Sequence, residues 1–203
     1  MTDRGESETA SMLAALRKLH EERQRAFLND WQRSLPFGDE IVDRWQKAIA
    51  LGFGQGTSIY DSAIVIGDVT VGAHTWIGPN VLLDGSGGLA IGDNCSISAG
   101  VQIYTHDSVK WALSGGRAEY ERAAVKIGSN TYIGPMTIVT RGVTIGDRCL
   151  VGANSIVNKN LADGSIAFGS TCTIVGRVEV SPDGTVTLSY NEDDGKRAGF
   201  RIG

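Results

Sequence analysis

A strict six-residue period governs the middle of the chain. From residue 127 to residue 157 every sixth position is aliphatic: Ile127, Ile133, Val139, Ile145, Val151 and Val157. Glycine follows four of these residues, and a small or β-branched residue stands four positions after each of the first five. A helix needs apolar residues about every 3.6 positions and a strand about every 2, so a single element of either kind is excluded. The period predicts short strands joined by corners, with the aliphatic side chains pointing inward and glycine supplying permissive backbone at the bends.

Three such strands make a coil of 18 residues, and stacked coils bury one continuous aliphatic column. The same ladder begins earlier, at Ile59, Val65, Val71, Ile77, Leu83 and Leu89. Its phase then jumps by two residues, from Leu89 to Ile91, and continues through Ile97 and Ile103. Because the jump follows the segment Asp84-Gly85-Ser86-Gly87-Gly88, we expect a bulged corner there.

The ladder is interrupted once. The 24-residue step from Ile103 to Ile127 lacks the pattern and carries polar and aromatic residues instead. A regular pattern that stops and then resumes predicts a loop, residues 104–126, that projects from one corner.

The segments outside the ladder predict caps for the ends of the stack. Apolar residues recur at helical spacing from about Thr9 to Ser34, and Asp39 is placed to cap a second helix. Valines and a leucine on either side of Ser181-Pro182-Asp183-Gly184 predict a β-hairpin. We therefore divide the chain into an N-terminal helical segment (1–52), a coil domain with its loop (53–178), and a C-terminal hairpin and charged tail (179–203).

Composition excludes several classes of function. The net charge is −4 and no block of lysine and arginine occurs, so no nucleic-acid partner is expected. Cys95 and Cys149 occupy the small-residue position of the repeat, which predicts packing thiols and no disulfide framework. The N-terminal residues lack the apolar region of a signal peptide, and no run is long enough to form a transmembrane segment, so we expect a cytoplasmic protein.

His106 is the candidate for chemistry, because it is the histidine that lies in the inserted loop. Histidine suits proton transfer near neutral pH, and loops on rigid scaffolds often carry catalytic groups. Asp107 and Glu119 are the nearby carboxylates in sequence that could orient its ring. We expect His74 to be an exposed corner residue, and two histidines in the ladder region are too few for a metal site.

The repeats resemble those of the hexapeptide-repeat acyltransferases over about residues 55–178. The segments that carry the resemblance are TWIGPNVLLDGSGGLAIGDNCSISAGVQIYTHDSVKWALSGG and VKIGSNTYIGPMTIVTRGVTIGDRCLVGANSIVNKN. They are similar to the branch of sugar O-acetyltransferases that includes the galactoside, maltose and surface-polysaccharide enzymes. The resemblance implies a left-handed parallel β-helix and a homotrimer with acyl-coenzyme A sites between neighbouring subunits.

The resemblance also implies roles for individual residues. His106 corresponds to the general base of the family, while Asn80, Asp84 and Trp111 are the predicted acceptor-binding residues. The predicted acetyl-coenzyme A site comprises Gly134, Pro135, Ala153, Asn158 and Lys159. The segment Phe168–Thr173 departs from the family because it lacks the usual Gly-x-Pro-Ala run.

The sequence thus predicts an acetyl-coenzyme A-dependent O-acetyltransferase that acts on a nucleotide-linked or lipid-linked sugar of surface-polysaccharide biosynthesis. Direct transfer is expected, with His106 as the base. An amino-sugar N-acetyltransferase on the same fold and a non-catalytic β-helix scaffold are the alternatives. A β-helix metalloenzyme is disfavoured by the histidine count.

Overall fold

The computed structural model describes residues 3–191, with the side chains of residues 8–191. The chain divides into two compact units, Met1–Asp43 and Arg44–Gly203. The charged tail predicted after residue 191 lies outside the described residues.

The first unit contains two helices, α1 (Asp3–Trp31) and α2 (Phe37–Ile41). The capping role predicted for Asp39 is wrong. Pro36 occupies the N-cap of α2, and Asp39 lies inside the helix and is buried. Proline has no N–H and a fixed backbone angle that suits a helix start, so it begins this helix without a side-chain cap. None of the helices in the described residues combines the length and the apolar character needed to cross a bilayer.

The second unit begins with α3 (Arg44–Ala50) and continues as a stack of coils. Its strands are β1 (Ser58–Ile59), β2 (Ile64–Val71), β3 (Trp76–Ile77), β4 (Leu82–Ile91), β5 (Ser96–Ile97), β6 (Gln102–Ile103), β7 (His106–Asp107), β8 (Glu121–Arg122), β9 (Val125–Ile127), β10 (Tyr132–Ile133), β11 (Ile138–Val139), β12 (Thr144–Ile145), β13 (Leu150–Val151), β14 (Ile156–Val157), β15 (Ser165–Phe168), β16 (Thr173–Val180) and β17 (Val186–Tyr190). A fourth helix, α4 (Val109–Leu113), lies between β7 and β8.

The strand pairings align the aliphatic residues into three inward columns. The first column is Ile59, Ile77, Ile97, Ile133, Val151 and Ala167. The second is Val65, Leu83, Ile103, Val139 and Val157, and the third is Val71, Ile91, Ile127, Ile145 and Leu161. All pairings between coils are parallel, and all column residues except the partly buried Val65 are buried. The predicted left-handed parallel β-helix is therefore confirmed.

The three corners between columns form three edges of the prism. Edge one joins the first column to the second, edge two joins the second to the third, and edge three returns to the first. Along edge two, the coil after Leu83 contains two extra residues, and the third column takes Ile91 instead of Leu89. The predicted bulged corner is confirmed, and the strand β4 runs continuously through it.

The glycines that follow the aliphatic residues do not supply the permissive backbone at the bends that the sequence predicts. The left-handed backbone falls three residues after the aliphatic, and at seven corners a non-glycine residue adopts it: His74, Asn80, Asn94, Asn130, Met136, Arg148 and Asn154. The glycine directly after the aliphatic meets the next coil instead. A Cβ on Gly134 would stand 2.5 Å from the backbone nitrogen of Ala153. These glycines are thus required by the close approach of neighbouring coils.

The small residues of the repeat form a buried polar ladder along edge three. Thr75 Oγ1 donates to the carbonyl of Gly92 at 2.9 Å and accepts from the backbone N–H of Cys95 at 3.0 Å. Thr131 makes the equivalent pair of bonds with Gly146 and Cys149. Cys95 and Cys149 are buried in this ladder as free thiols, and burial raises the pKa of both. They are packing residues with suppressed reactivity.

The two ends of the stack are covered differently. At the first coil the ammonium group of Lys47, from α3, donates to the carbonyls of Tyr60, Asp61 and Ala63 at 2.9–3.1 Å. At the last coil the chain reverses, and β16 pairs antiparallel with β15 and then with β17. The predicted hairpin is confirmed, with Val180 opposite Val186, although its first strand begins at Thr173.

Candidate active site

The inserted segment leaves the stack at edge two. It contains two short strands and a helix, whereas the sequence predicts a loop. It runs from residue 104 to residue 124, between β6 and β9. The strands β7 and β8 pair antiparallel and form its base, and α4 lies between them. The backbone N–H of Ala123 bonds to the carbonyl of Thr105 at 2.9 Å, so the two ends of the insert are held together where they meet the coil.

The bulged strand below the insert supplies a buried carboxylate. Asp84 is 1 % exposed, and its Oδ2 lies 2.7 Å from Nδ1 of His106. The same oxygen accepts the backbone N–H of Thr105 at 2.8 Å. Its Oδ1 accepts the hydroxyl of Ser86 at 2.5 Å and the Ser86 N–H at 3.0 Å. Both oxygens are therefore occupied by donors from the protein.

These donors fix the charge of Asp84. Burial by itself would raise its pKa, but the hydrogen bonds from Ser86, from the Thr105 backbone and from His106 outweigh burial and hold the pKa far below its ordinary value. An ionised carboxylate can only accept a hydrogen bond, so Nδ1 of His106 carries the proton. In the neutral imidazole the lone pair is then on Nε2, and the histidine side chain is 33 % exposed.

Two aromatic residues of the insert lie beside His106. The ring of Tyr120 is nearly parallel to the imidazole, with centroids 6.1 Å apart and an angle of 18°. Trp111 packs edge-on against Tyr120 at 5.6 Å. Both aromatic side chains are about 40 % exposed, so Tyr120 presents apolar ring surface next to the histidine and Trp111 extends this surface on the other side of Tyr120. Such surface suits the apolar faces of a sugar or another flat ligand.

The carboxylates predicted from sequence proximity to orient His106 do not do so. Asp107 bonds instead to the guanidinium group of Arg141, which also binds Glu121 Oε2 at 2.7 Å. Glu119 is exposed. Asp84 takes the orienting role, so its predicted direct contact with an acceptor is not supported by its burial.

The remaining predicted residues are distributed over two edges. Edge one carries Asn80, which is exposed and left-handed with φ 56°. Further along edge one lie Gly134-Pro135 and Ala153, in adjacent coils, with the N–H of Asn154 bonded to the carbonyl of Pro135 at 2.8 Å. Asn158 and Lys159 are exposed on edge two, the edge of His106. Within one chain, Asn80 and His106 therefore lie on different edges, with one face of the prism between them.

Sequence reasoning missed three contributors to this site: Ser86, Tyr120 and Arg141. Ser86 and Arg141 could have been found by aligning the coils, because both fall on edge two, next to the insert. No sequence pattern indicates that Tyr120 lies at the site, because its position depends on the pairing of β7 with β8. Within the described part of the chain, no cluster of three or more His, Cys, Asp or Glu side chains is arranged to hold a metal ion.

Comparison with known proteins relates the coils to an enzyme family. The family pattern "Bacterial transferase hexapeptide (six repeats)" matches residues 124–159, and "Hexapeptide repeat of succinyl-transferase" matches residues 64–105. The galactoside O-acetyltransferase of Escherichia coli K12 is 26 % identical over 129 residues, which cover 54 % of this chain and 64 % of that protein. The enzyme of the same name from Lactococcus lactis is 32 % identical over 56 % of this chain and 45 % of its own length.

A solved structure extends the match to most of the fold. A hexapeptide-repeat acetyltransferase of Vibrio cholerae, crystallised with acetyl-coenzyme A, is 26 % identical with a TM-score of 0.57. The match covers 80 % of this chain and 87 % of that one. The chain spans less than two thirds of the length of these two galactoside O-acetyltransferases. The similarity therefore does not establish their activity for this chain. The two repeat patterns, together with the shared architecture, show that the chain is similar to the hexapeptide-repeat transferases.

Proposed function

We propose that this protein is an acetyl-coenzyme A-dependent O-acetyltransferase that acts on a sugar hydroxyl. The observation that carries the proposal is the Asp84–His106 pair, in which the buried carboxylate lies 2.7 Å from Nδ1 and the histidine side chain is 33 % exposed. A group in this state is suited to remove a proton from a hydroxyl near neutral pH. The exposed rings of Trp111 and Tyr120 beside it support a sugar as the acceptor.

The reaction proposed for this site is a single displacement. Nε2 of His106 takes the proton of the acceptor hydroxyl while the oxygen attacks the carbonyl carbon of the thioester. The new C–O bond forms as the C–S bond breaks, and the imidazolium returns its proton to the departing thiolate. Asp84 keeps Nδ1–H in place throughout and stabilises the transient positive charge.

The acetyl donor is proposed to bind along edge one and to reach edge two of a neighbouring subunit. Pro135 and Ala153 are exposed in adjacent coils of edge one. Lys159 is an exposed cation suited to phosphate. Because His106 and Asn80 lie on different edges of one chain, a site that uses both needs a second copy, which supports the predicted homotrimer.

The test uses two matched histidine variants. Purified wild type, His106→Asn and His74→Asn are incubated with acetyl-coenzyme A and a panel of saccharides, and acetylated products are identified by mass spectrometry. We expect wild-type activity to fall by about 10²–10⁴-fold in His106→Asn and to persist in His74→Asn, because asparagine takes the same left-handed corner at Asn94. Equal activity in His106→Asn would overturn the role of the histidine.

The panel includes each sugar as its hydroxyl and its amine form, since the same base serves both acceptors. Exclusive transfer to amines would replace the proposal by the N-acetyltransferase alternative. Failure of calorimetric titration to detect acetyl-coenzyme A binding would favour the scaffold alternative. The nucleotide-linked or lipid-linked nature of the acceptor, the link to surface polysaccharide and the cytoplasmic location stay predictions from the sequence.

A further inference from the structure

The base of the insert contains two carboxylates that face each other. In the antiparallel pairing of β7 with β8, Asp107 lies directly opposite Glu121. Like charges directly opposite on paired strands are destabilising. A two-residue ladder contributes few other bonds, so the pairing requires a compensating charge.

That charge comes from a different coil. Arg141 lies at edge two of the coil that follows the insert, two residues beyond Val139 of the second column. Its Nε donates to Asp107 and its Nη2 donates to Glu121 Oε2 at 2.7 Å. Lys110, from α4, binds the other oxygen of Glu121 at 2.6 Å. Arg141 is therefore a fork that joins both strands of the insert to the rigid stack.

The position of the fork relates it to the aromatic pair. His106 directly precedes Asp107, and Tyr120 directly precedes Glu121. Arg141 sets the distance between the two carboxylates. Because the imidazole and the phenol ring belong to the residues directly before them, this distance also affects how far apart the two rings lie. Asp84 in the stack holds His106, whereas the ring of Tyr120 lies against three other residues of the insert, His106, Trp111 and Arg122.

We infer that Arg141 is a positioning residue, which holds β7 and β8 together so that Tyr120 and Trp111 stay beside His106. The part of this inference that concerns activity rests on the proposed function. Its structural part is independent of that function, because it concerns the order of residues 104–124 in the protein alone.

Four variants test the inference. Arg141→Met removes the charge and both bonds, and Arg141→Lys keeps a charge without the fork. The double variant Arg141→Met/Glu121→Gln also removes the repulsion between the carboxylates. Arg117→Met, an exposed arginine of the same insert, is the matched control.

The first readout is hydrogen exchange followed by mass spectrometry, which needs no substrate. In Arg141→Met we expect peptides within residues 104–124 to exchange about tenfold faster while coil peptides are unchanged, because only the insert loses its anchor. Arg141→Lys should be intermediate, the double variant should recover most of the protection, and Arg117→Met should match wild type. Unchanged exchange in Arg141→Met, or an equal increase throughout the coils, would overturn the inference.

The second readout is steady-state kinetics. We expect kcat of Arg141→Met to fall about tenfold with the KM for acetyl-coenzyme A unchanged, since small displacements of a base are costly. The double variant should regain activity to within about threefold of wild type. An unaltered kcat, or failure of Glu121→Gln to restore it, would contradict the positioning role. If wild type transfers acetyl to no acceptor, the proposed function fails, and the exchange experiment still decides the role of Arg141.

Discussion

Asp84 Oδ2 lies 2.7 Å from Nδ1 of His106, although the two residues are 22 positions apart and belong to successive coils. Asp84 directly follows the column residue Leu83 and lies just before the bulge of β4, in regular register with the coil below. Its carboxylate lies under the root of the insert, where Thr105 bonds to both the carbonyl and Oδ2 of Asp84. A histidine on an irregular segment is thereby oriented by a residue of the rigid stack.

The first prediction concerns this contact in catalysis. Asp84→Asn keeps the shape of the side chain, but its amide group can donate to Nδ1 and so favour the tautomer in which Nε2 carries the proton. We expect kcat to fall by about two orders of magnitude. Steady-state kinetics check this, with Asp93→Asn as control, because Asp93 accepts a backbone N–H at edge three and has no contact with His106.

The second prediction concerns stability as a function of pH. The pKa of Asp84 lies well below its ordinary value of 3.8 in the folded protein, so its ionised form stabilises the fold above that value. The contribution declines as the pH falls through the folded pKa. The difference in unfolding free energy between wild type and Asp84→Asn should therefore shrink as the pH falls below about 4. Urea unfolding at several pH values measures this difference. A difference that grows as the pH falls below about 4 would contradict the prediction.

The columns of the core could be predicted because they depend only on a local period. A residue such as Ile133 repeats the environment of Ile97 and Val151, so no long-range information is required. The orienting partner of His106 could not be found in the same way. Proximity in sequence pointed to Asp107, whereas contacts in a β-helix connect residues one coil apart. The two-residue phase jump beside Asp84 was the signal that its coil is irregular.

The glycines illustrate a second limit of the sequence. Their position after each aliphatic residue was visible, but the period does not distinguish a bend from a close contact. The structure does, because Gly134 faces the backbone of Ala153 and the left-handed residue of that corner is Met136.

The third prediction follows from this distinction. Gly134→Ala should destabilise the protein by about 1–3 kcal/mol, since the new Cβ would meet Ala153 N at 2.5 Å. Gly142→Asn should cost less than about 1 kcal/mol despite φ of 79°, because asparagine adopts this backbone at other corners and the new Cβ would stand 3.3 Å from the Cβ of Ala123, a much looser contact. Chemical denaturation of the two variants compares them directly. A larger loss for Gly142→Asn would mean that backbone conformation, not contact between coils, determines the glycine pattern.

The last prediction concerns the column itself. Ile133 is fully buried, with Ile97 in the coil below and Val151 in the coil above. Truncation to alanine removes its contacts with both neighbours and leaves a cavity, because the coils are tied by backbone bonds and cannot collapse. We expect Ile133→Ala to lower the unfolding free energy by about 2–5 kcal/mol. Ile174→Ala, at a position that is 44 % exposed on the hairpin, should cost only about 0.5 kcal/mol. Equal losses in urea titrations at matched protein concentration would contradict a core that consists of continuous columns.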